Sequence, residues 1–375
     1  MRIVLFVHSL TSDWNHGNAH FVRGVTDELV SRGHDVPVYE PHDAWSREHL
    51  VRDHGPRPLA RFAECYPRLS STRFDPGDVD LDAMLEGADA VVVHEWNDPA
   101  LVAAIGRHRE AGGRYRLLFH DTHHRMASDP EAMARYRLEG YDAVLAFGRV
   151  VADLYRARGL TDRAFVWHEA ADVRRFHPPD PPVARSGVVW IGNWGDDERT
   201  RELREFLIEP LRRLAVPASV YGVRYPSAAR ARLRAAGISY RGWLANFDAP
   251  AIYAAARATL HVPRRPYAEA LPGVPTIRVF EALACGVPLV SAPWDDDEEL
   301  FRPGEDFLTA ATGAEMEREL RRVIEDDELA AALAHSGLET ILARHTCGHR
   351  VDELLQILAE LGTAGPVTAS GELVE

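Results

Sequence analysis

Apolar residues along this chain fall in short runs separated by stretches of helical spacing, which is the pattern of parallel strands buried on both faces and joined by helical crossovers. Arg2–Val7 predicts a first strand, Asn18–Arg32 a helix, and Gly33–Tyr39 a returning strand, a βαβ opening. Further strands are expected at Ala88–His94, Tyr115–His120 and Ala143–Phe147, with helices over Pro99–Ala111 and Pro130–Leu138. Residues 42–80 carry weaker patterning and several prolines, and read as a variable insertion. The alternation restarts at Val188–Asn193 and continues through Ala218–Gly222, Ala258–Pro263 and Val287–Ser291. Pro178-Pro-Asp-Pro-Pro182 is a stiff connector between the halves. The expected organisation is a first domain over 1–177, a linker over 178–182 and a second domain over 183–345. A C-terminal helix over 346–362 and a disordered tail over 363–375 follow. Both domains are expected to be α/β, each a doubly wound parallel sheet of Rossmann-like kind.

Composition narrows the function. With 375 residues, 46% hydrophobic and 27% charged, the chain has room for two ordinary cores. The net charge is −14 and no lysine occurs, so nucleic acid is an unsuitable partner, and any cation that meets a phosphate must be arginine or histidine. Cys65, Cys285 and Cys347 are far apart without metal-type pairing, which predicts free thiols in a reducing compartment. The apolar start, Met1–His8, is too short for a signal core or a membrane span. A cytoplasmic monomer or homodimer is expected.

The densest chemistry lies between Gly273 and Ser291. Thr276 is a good N-cap, Ile277–Cys285 is free of Gly and Pro, and Gly286 with Pro288 stops the helix. The helix start suits a diphosphate through its unpaired N–H groups and partial positive charge. Glu281, one turn on, projects near Ile277 and Ala284 and could accept from ribose hydroxyls. The plainer alternative is a surface ion pair between Arg278 and Glu281 on an ordinary core helix.

Three expected strands end in histidine, at His8, His94 and His120, on the side of the sheet where ligands gather. Glu95 and Asp121 follow two of them. These groups suit a polar substrate better than a metal, because loop histidines such as His123 and His124 lack a defined scaffold; the plainer alternative is that they are satisfied polar residues at loop starts. His16, Gly17 and Asn18 form a polar, flexible loop after the first strand, without the three glycines of a dinucleotide fingerprint, which argues against an NAD enzyme. In the second half Gly192, Asn193, Trp194 and Gly195 precede Arg199, and Arg264 leads towards the Gly273 segment; both arginines could reach a diphosphate. Asp295–Glu299 reads as a solvated acidic run.

Thr276-x-Arg278-x-Phe280-Glu281-Ala-Leu-Ala-Cys-Gly-Val-Pro288 resembles the donor-site helix of GT-B glycosyltransferases. The likeness is greatest to the CgeB-like group (spore-maturation-protein-like), allied to retaining family 4 enzymes. Gly192-Asn-Trp-Gly195 and Asp172-Val-Arg-Arg-Phe-His-Pro178 are similar to that group's second-domain opening and interdomain passage. The resemblance implies a GT-B fold, two Rossmann-like domains facing across a cleft. It also implies sugar transfer with retention from a nucleoside diphosphate sugar, a UDP- or GDP-sugar, to an acceptor, with no metal and no tightly bound cofactor. It places the diphosphate on Thr276, Ile277 and Arg278, with Gly192, Asn193, Trp194, Arg199, Arg264 and Gly273 around the donor. Glu281 would hold ribose and His120 would face the sugar, as the catalytic candidates. The acceptor side would be drawn from His8, His16, Gly17, Asn18, His94, Glu95 and Asp121. Family 4 members often carry a further glutamate where this chain has Gly273. That difference keeps open a nucleotide-sugar-binding protein without transfer, beside an epimerase or hydrolase on the same scaffold.

Overall fold

The computed structural model describes residues 1–363, and the tail expected beyond them lies outside the described residues. The first sheet contains β1 (Ile3–Phe6), β2 (Val38–Pro41), β3 (Thr72–Phe74), β4 (Ala90–His94), β5 (Arg116–Asp121), β6 (Ala143–Ala146) and β7 (Ala164–Val166), in the order 3-2-1-4-5-6-7. The second contains β8 (Val188–Ile191), β9 (Ala218–Tyr221), β10 (Ser239–Gly242), β11 (Ala258–His261), β12 (Leu289–Ser291) and β13 (Leu308–Thr309), in the order 10-9-8-11-12-13. All pairings within the two sheets are parallel. β4 and β8 are buried along their whole length, which is why they read as continuous apolar runs. The expected pair of Rossmann-like domains is therefore present. Strand order reverses between β1 and β4 and again between β8 and β11, where a crevice opens beyond the carboxyl ends of such sheets.

Local departures from the expected pattern have local causes. The returning strand begins at Val38, not Gly33, because Gly33 at φ +84° closes the preceding helix, Ala19–Ser31. The helix expected over Pro130–Leu138 stops at Met133, and the Tyr136 hydroxyl donates instead to the Glu95 carbonyl. Residues 42–80 form two helices, Trp45–His54 and Arg57–Cys65, before the edge strand β3. The second of these docks on the other domain, since Arg61 donates twice to Asp248 at 2.7 Å.

The C-terminal helix, Cys347–Thr363, returns to the first domain and is spatially part of it. Ala171 N–H donates to the His345 carbonyl and Cys347 N–H to that of Ala171, while Trp167 Nε1 donates to the Arg350 carbonyl at 2.8 Å. Val351, Leu354 and Leu358 join Leu5, Phe21 and Val25 in an apolar cluster that continues through Trp167 and Phe176 to Ile277, Phe280 and Leu283. The domains thus share a core on the connector side. Among the described residues no helix is long and apolar enough to cross a membrane, and all three cysteines are free.

Gly24 sits where the helix Ala19–Ser31 meets the returning chain. A Cβ there would lie 2.4 Å from Cys347 Sγ and 2.8 Å from Asp172 Cβ. Gly24→Ala should therefore destabilise the fold by about 1–3 kcal/mol, whereas Gly362→Ala, with no heavy atom within 4 Å of the added carbon, should not. Thermal melts of the two variants check this, and equal melting temperatures would refute the close-packing account.

Candidate functional site

Both points of strand reversal open into one cleft of about 850 Å³, walled by loops of the first domain and by loops and a helix start of the second. On the second-domain wall the helix Ile277–Ala284 begins at Thr276, which adopts the extended N-cap conformation but does not cap. Its Oγ1 lies 3.0 Å from His261 Nε2 instead. No acidic residue occupies the first turn, so the helix start presents its positive end to the cleft without a side-chain acceptor.

Arginines surround this point. Arg199 is only 8% exposed, lies over the Trp190 ring at 5.1 Å, and donates to the carbonyls of Asn193, Trp194 and Val262. It forms no ion pair among the described residues, and burial, helped by Arg264, pushes its pKa down to about 9. A buried guanidinium without a counter-ion favours an incoming anion. Arg264 holds Glu198 at 3.1 Å at the cleft wall, and Arg278 lies beside the helix start. Gly192 and Asn193 complete the wall, and Asn193 Nδ2 donates to Asn15 Oδ1 of the first domain at 2.7 Å.

Several expected donor contacts lie elsewhere. Glu281 is 0% exposed and stands behind Arg278 rather than on the cleft wall. Its carboxylate accepts from Arg278 and, at 2.7 Å, from Asn246 Nδ2, and His20 Nδ1 of the first domain is 3.4 Å away. The Arg278–Glu281 pair is thus part-buried, with Glu281 enclosed and Arg278 reaching the cleft, not the surface pair that the spacing also allowed. Trp194 packs on Tyr225 at 5.4 Å inside the second core, with its Nε1 bonded to Thr200 Oγ1. Gly273, at φ +82°, abuts Glu298, so the usual position of a second glutamate is outside the cleft lining. Glu298 accepts from the Arg149 N–H at 2.7 Å and lies 3.1 Å from His168 Nε2, so the acidic run is partly a domain contact.

The first-domain wall brings His16, Gly17 and Asn18 to the cleft as expected. His120 is not there. It is 4% exposed, packed against Trp167 at 4.7 Å, His94 at 5.4 Å and Phe21 at 5.7 Å, and burial lowers its pKa to about 3. His8, His94, Glu95 and Asp121 lie beneath the lining as well. His94 Nε2 meets Thr122 Oγ1 at 2.9 Å, Glu95 pairs with Arg125, and Asp121 accepts from the Tyr155 hydroxyl at 2.9 Å and the His123 N–H at 3.1 Å. Burial pushes both carboxyls up. These strand-end groups form a floor that fixes the loops above them. The loops, with the helix Trp45–His54, and not the strand ends, supply the lining: Trp14, Trp96, Thr122 and His123 from loops and Trp45 from the helix. Burial pushes the pKa values of His16 and His123 well below the ordinary value, so both are neutral imidazoles near pH 7. Among the described residues no group of three or more His, Cys, Asp or Glu is placed to hold a metal.

Glu169 and Tyr267 also line the cleft, unmarked by any sequence motif. The signal for Glu169 was its position in the passage leaving β7, next to the proline connector.

The sequence model of a family described as "Glycosyl transferase-like" matches residues 199–356, most of the second domain. No curated protein matches the chain. Among solved structures, sucrose-phosphate synthase from Thermosynechococcus elongatus is similar with a TM-score of 0.66 at 14% identity, over 96% of this chain and 99% of that one. HepE of Anabaena, solved with UDP and glucose, gives 0.66 at 15% identity, with 96% and 99% covered. T4 phage BGT, solved with UDP and Mn2+, gives 0.60 at 12% identity, with 96% and 99% covered. The chain has the GT-B fold. In this GT-B architecture the uncapped helix start and its arginines occupy the second domain's side of the interdomain cleft.

Removing Arg278 would leave Glu281 buried beside Asn246 without its cation. Arg278→Met is expected to cost about 3–5 kcal/mol, and the double variant Arg278→Met/Glu281→Leu to regain part of it. Urea unfolding measures both; a loss below about 1 kcal/mol for the single variant would refute the pairing.

Proposed function

We propose that this protein is a glycosyltransferase that moves a hexosyl group from a nucleoside diphosphate sugar, with UDP as the favoured nucleotide, to an acceptor held by the first domain. The observation that carries this reading is the uncapped start of the helix Ile277–Ala284 with Arg199, Arg264 and Arg278 around it in an interdomain cleft. That constellation suits a leaving diphosphate, whose charge grows as the bond to the sugar breaks. The match of the second domain to a glycosyl transferase-like family supports it, as do the UDP complexes of HepE and T4 phage BGT on the same fold.

The sugar would lie between the helix start and the first-domain wall. His16 and His123, rather than His120, are the neutral imidazoles that face it. Glu281 would serve by holding Arg278 in place, not by touching ribose. The arginines supply the positive charge that leaving-group departure needs, which supports transfer independent of a metal. The likeness of the donor helix to retaining family 4 enzymes supports retention.

UDP or UDP-glucose should raise the melting temperature through binding to the folded state, by an amount equal to about 2.7 kcal/mol at a hundredfold excess over Kd. Arg264→Ala should weaken UDP by about tenfold, or about 1.4 kcal/mol. No shift with UDP, GDP or their sugars would defeat the reading. Turnover of the donor should persist in EDTA, and its loss would remove metal independence.

A further inference from the structure

Glu169 lies in the passage between the two sheets and lines the cleft, although it is only 8% exposed. Two carboxylates line this cleft, and the other, Asp196, pairs with Arg224 at 2.9 Å. Glu169 has no ion pair among the described residues. Its one hydrogen-bond partner among the described residues is Asn18, whose Nδ2 donates to Oε1 at 3.1 Å. The second oxygen is therefore free for a ligand, and a carboxyl buried this way costs stability unless something uses it.

Its place relative to the leaving group follows from its neighbours. Gly17, beside Asn18, packs against the first helical residue of the donor side, since a Cβ there would be 3.5 Å from Ile277 Cγ2. Arg278 and Glu281 act on Glu169 from that helix, and Tyr267 from the helix Arg265–Ala270. His168, next in sequence, is turned away to the Phe147 carbonyl and Glu298. Burial outweighs the opposing pull of Asn18 and Arg278 and raises the carboxyl pKa to about 7, with Glu281 adding to the rise. A group poised there can exchange a proton at neutral pH.

We propose that Glu169 is a catalytic residue, taking the proton of the acceptor hydroxyl during transfer; this rests on the glycosyltransferase reading above. The acceptor oxygen forms its bond to the anomeric carbon while the bond from that carbon to the diphosphate oxygen breaks, its electron pair leaving with the diphosphate. The hydroxyl proton passes to the free oxygen of Glu169 and is lost to water after product departs. Glu169 and the helix start at Thr276–Arg278 line the same cleft, so proton acceptor and leaving group would share it.

The test uses the full chain with UDP-glucose as donor and water as acceptor, reading UDP release, beside the UDP-induced thermal shift. Glu169→Gln should lower kcat by about 10²-fold or more while leaving the UDP shift in place, and Glu169→Asp should restore part of the rate. In the wild type kcat should fall as pH drops through about 7, as the carboxyl becomes protonated, and this limb should vanish from the residual activity of the Gln variant. A Gln variant within about threefold of wild type, a limb that persists in it, or loss of the UDP shift together with the rate would each overturn the assignment. If the wild type neither binds UDP or GDP nor releases either from UDP-glucose or GDP-glucose, the glycosyltransferase reading fails and takes this one with it. If the wild type does both, failure of the variant arms removes Glu169 alone.

Discussion

A carboxylate with no access to water must be neutralised by its neighbours, and Glu281 imposes that requirement at the junction of the two domains. Arg278 and Asn246 answer it from the second domain, with His20 of the first domain close by. Asn246 is in turn fixed through its backbone N–H to Asp13, which also accepts from Trp243 and pairs with the buried Arg23. A chain of polar contacts therefore runs from the first-domain helix Ala19–Ser31 to the second-domain helix Ile277–Ala284. Such a chain is costly to break at any link, so it sets both the domain placement and the direction of Arg278.

The cleft that results has two chemically different walls. The second-domain wall concentrates arginine in a protein whose net charge is −14, so the local field there opposes the global one. The first-domain wall is aromatic and imidazole-rich, and desolvation keeps His16 and His123 neutral. An anion is thus favoured on one side of the cleft and a neutral polar group on the other. Contacts across the gap, Asn193 to Asn15 and Arg61 to Asp248, hold the walls together.

Much of the frame was legible in the chain. Buried parallel strands announce themselves by unbroken apolar runs, and the helix at Ile277 by its bounded, Gly-free and Pro-free stretch with a Gly and Pro stop. Short or polar strands such as Ser239–Gly242 did not, because a few residues at a sheet edge carry too little periodicity. The histidine candidates show a different limit. His94 and His120 were placed correctly at strand ends but not in their environment, since the loops carrying His16 and His123 lie over them.

Local pattern alone therefore determined the two parallel α/β units and the bounded helix that starts at Ile277, because each depends on residues near one another in the chain. The tertiary structure decided which polar groups face the cleft. Asn18 meets Glu169 across 151 positions, and Asn246 meets Glu281 across 35. Whether a carboxylate is a buried strut, as Glu281 is, or reaches the cleft lining, as Glu169 does, depends on distant partners competing for its oxygens, and no spacing along the sequence encodes that competition.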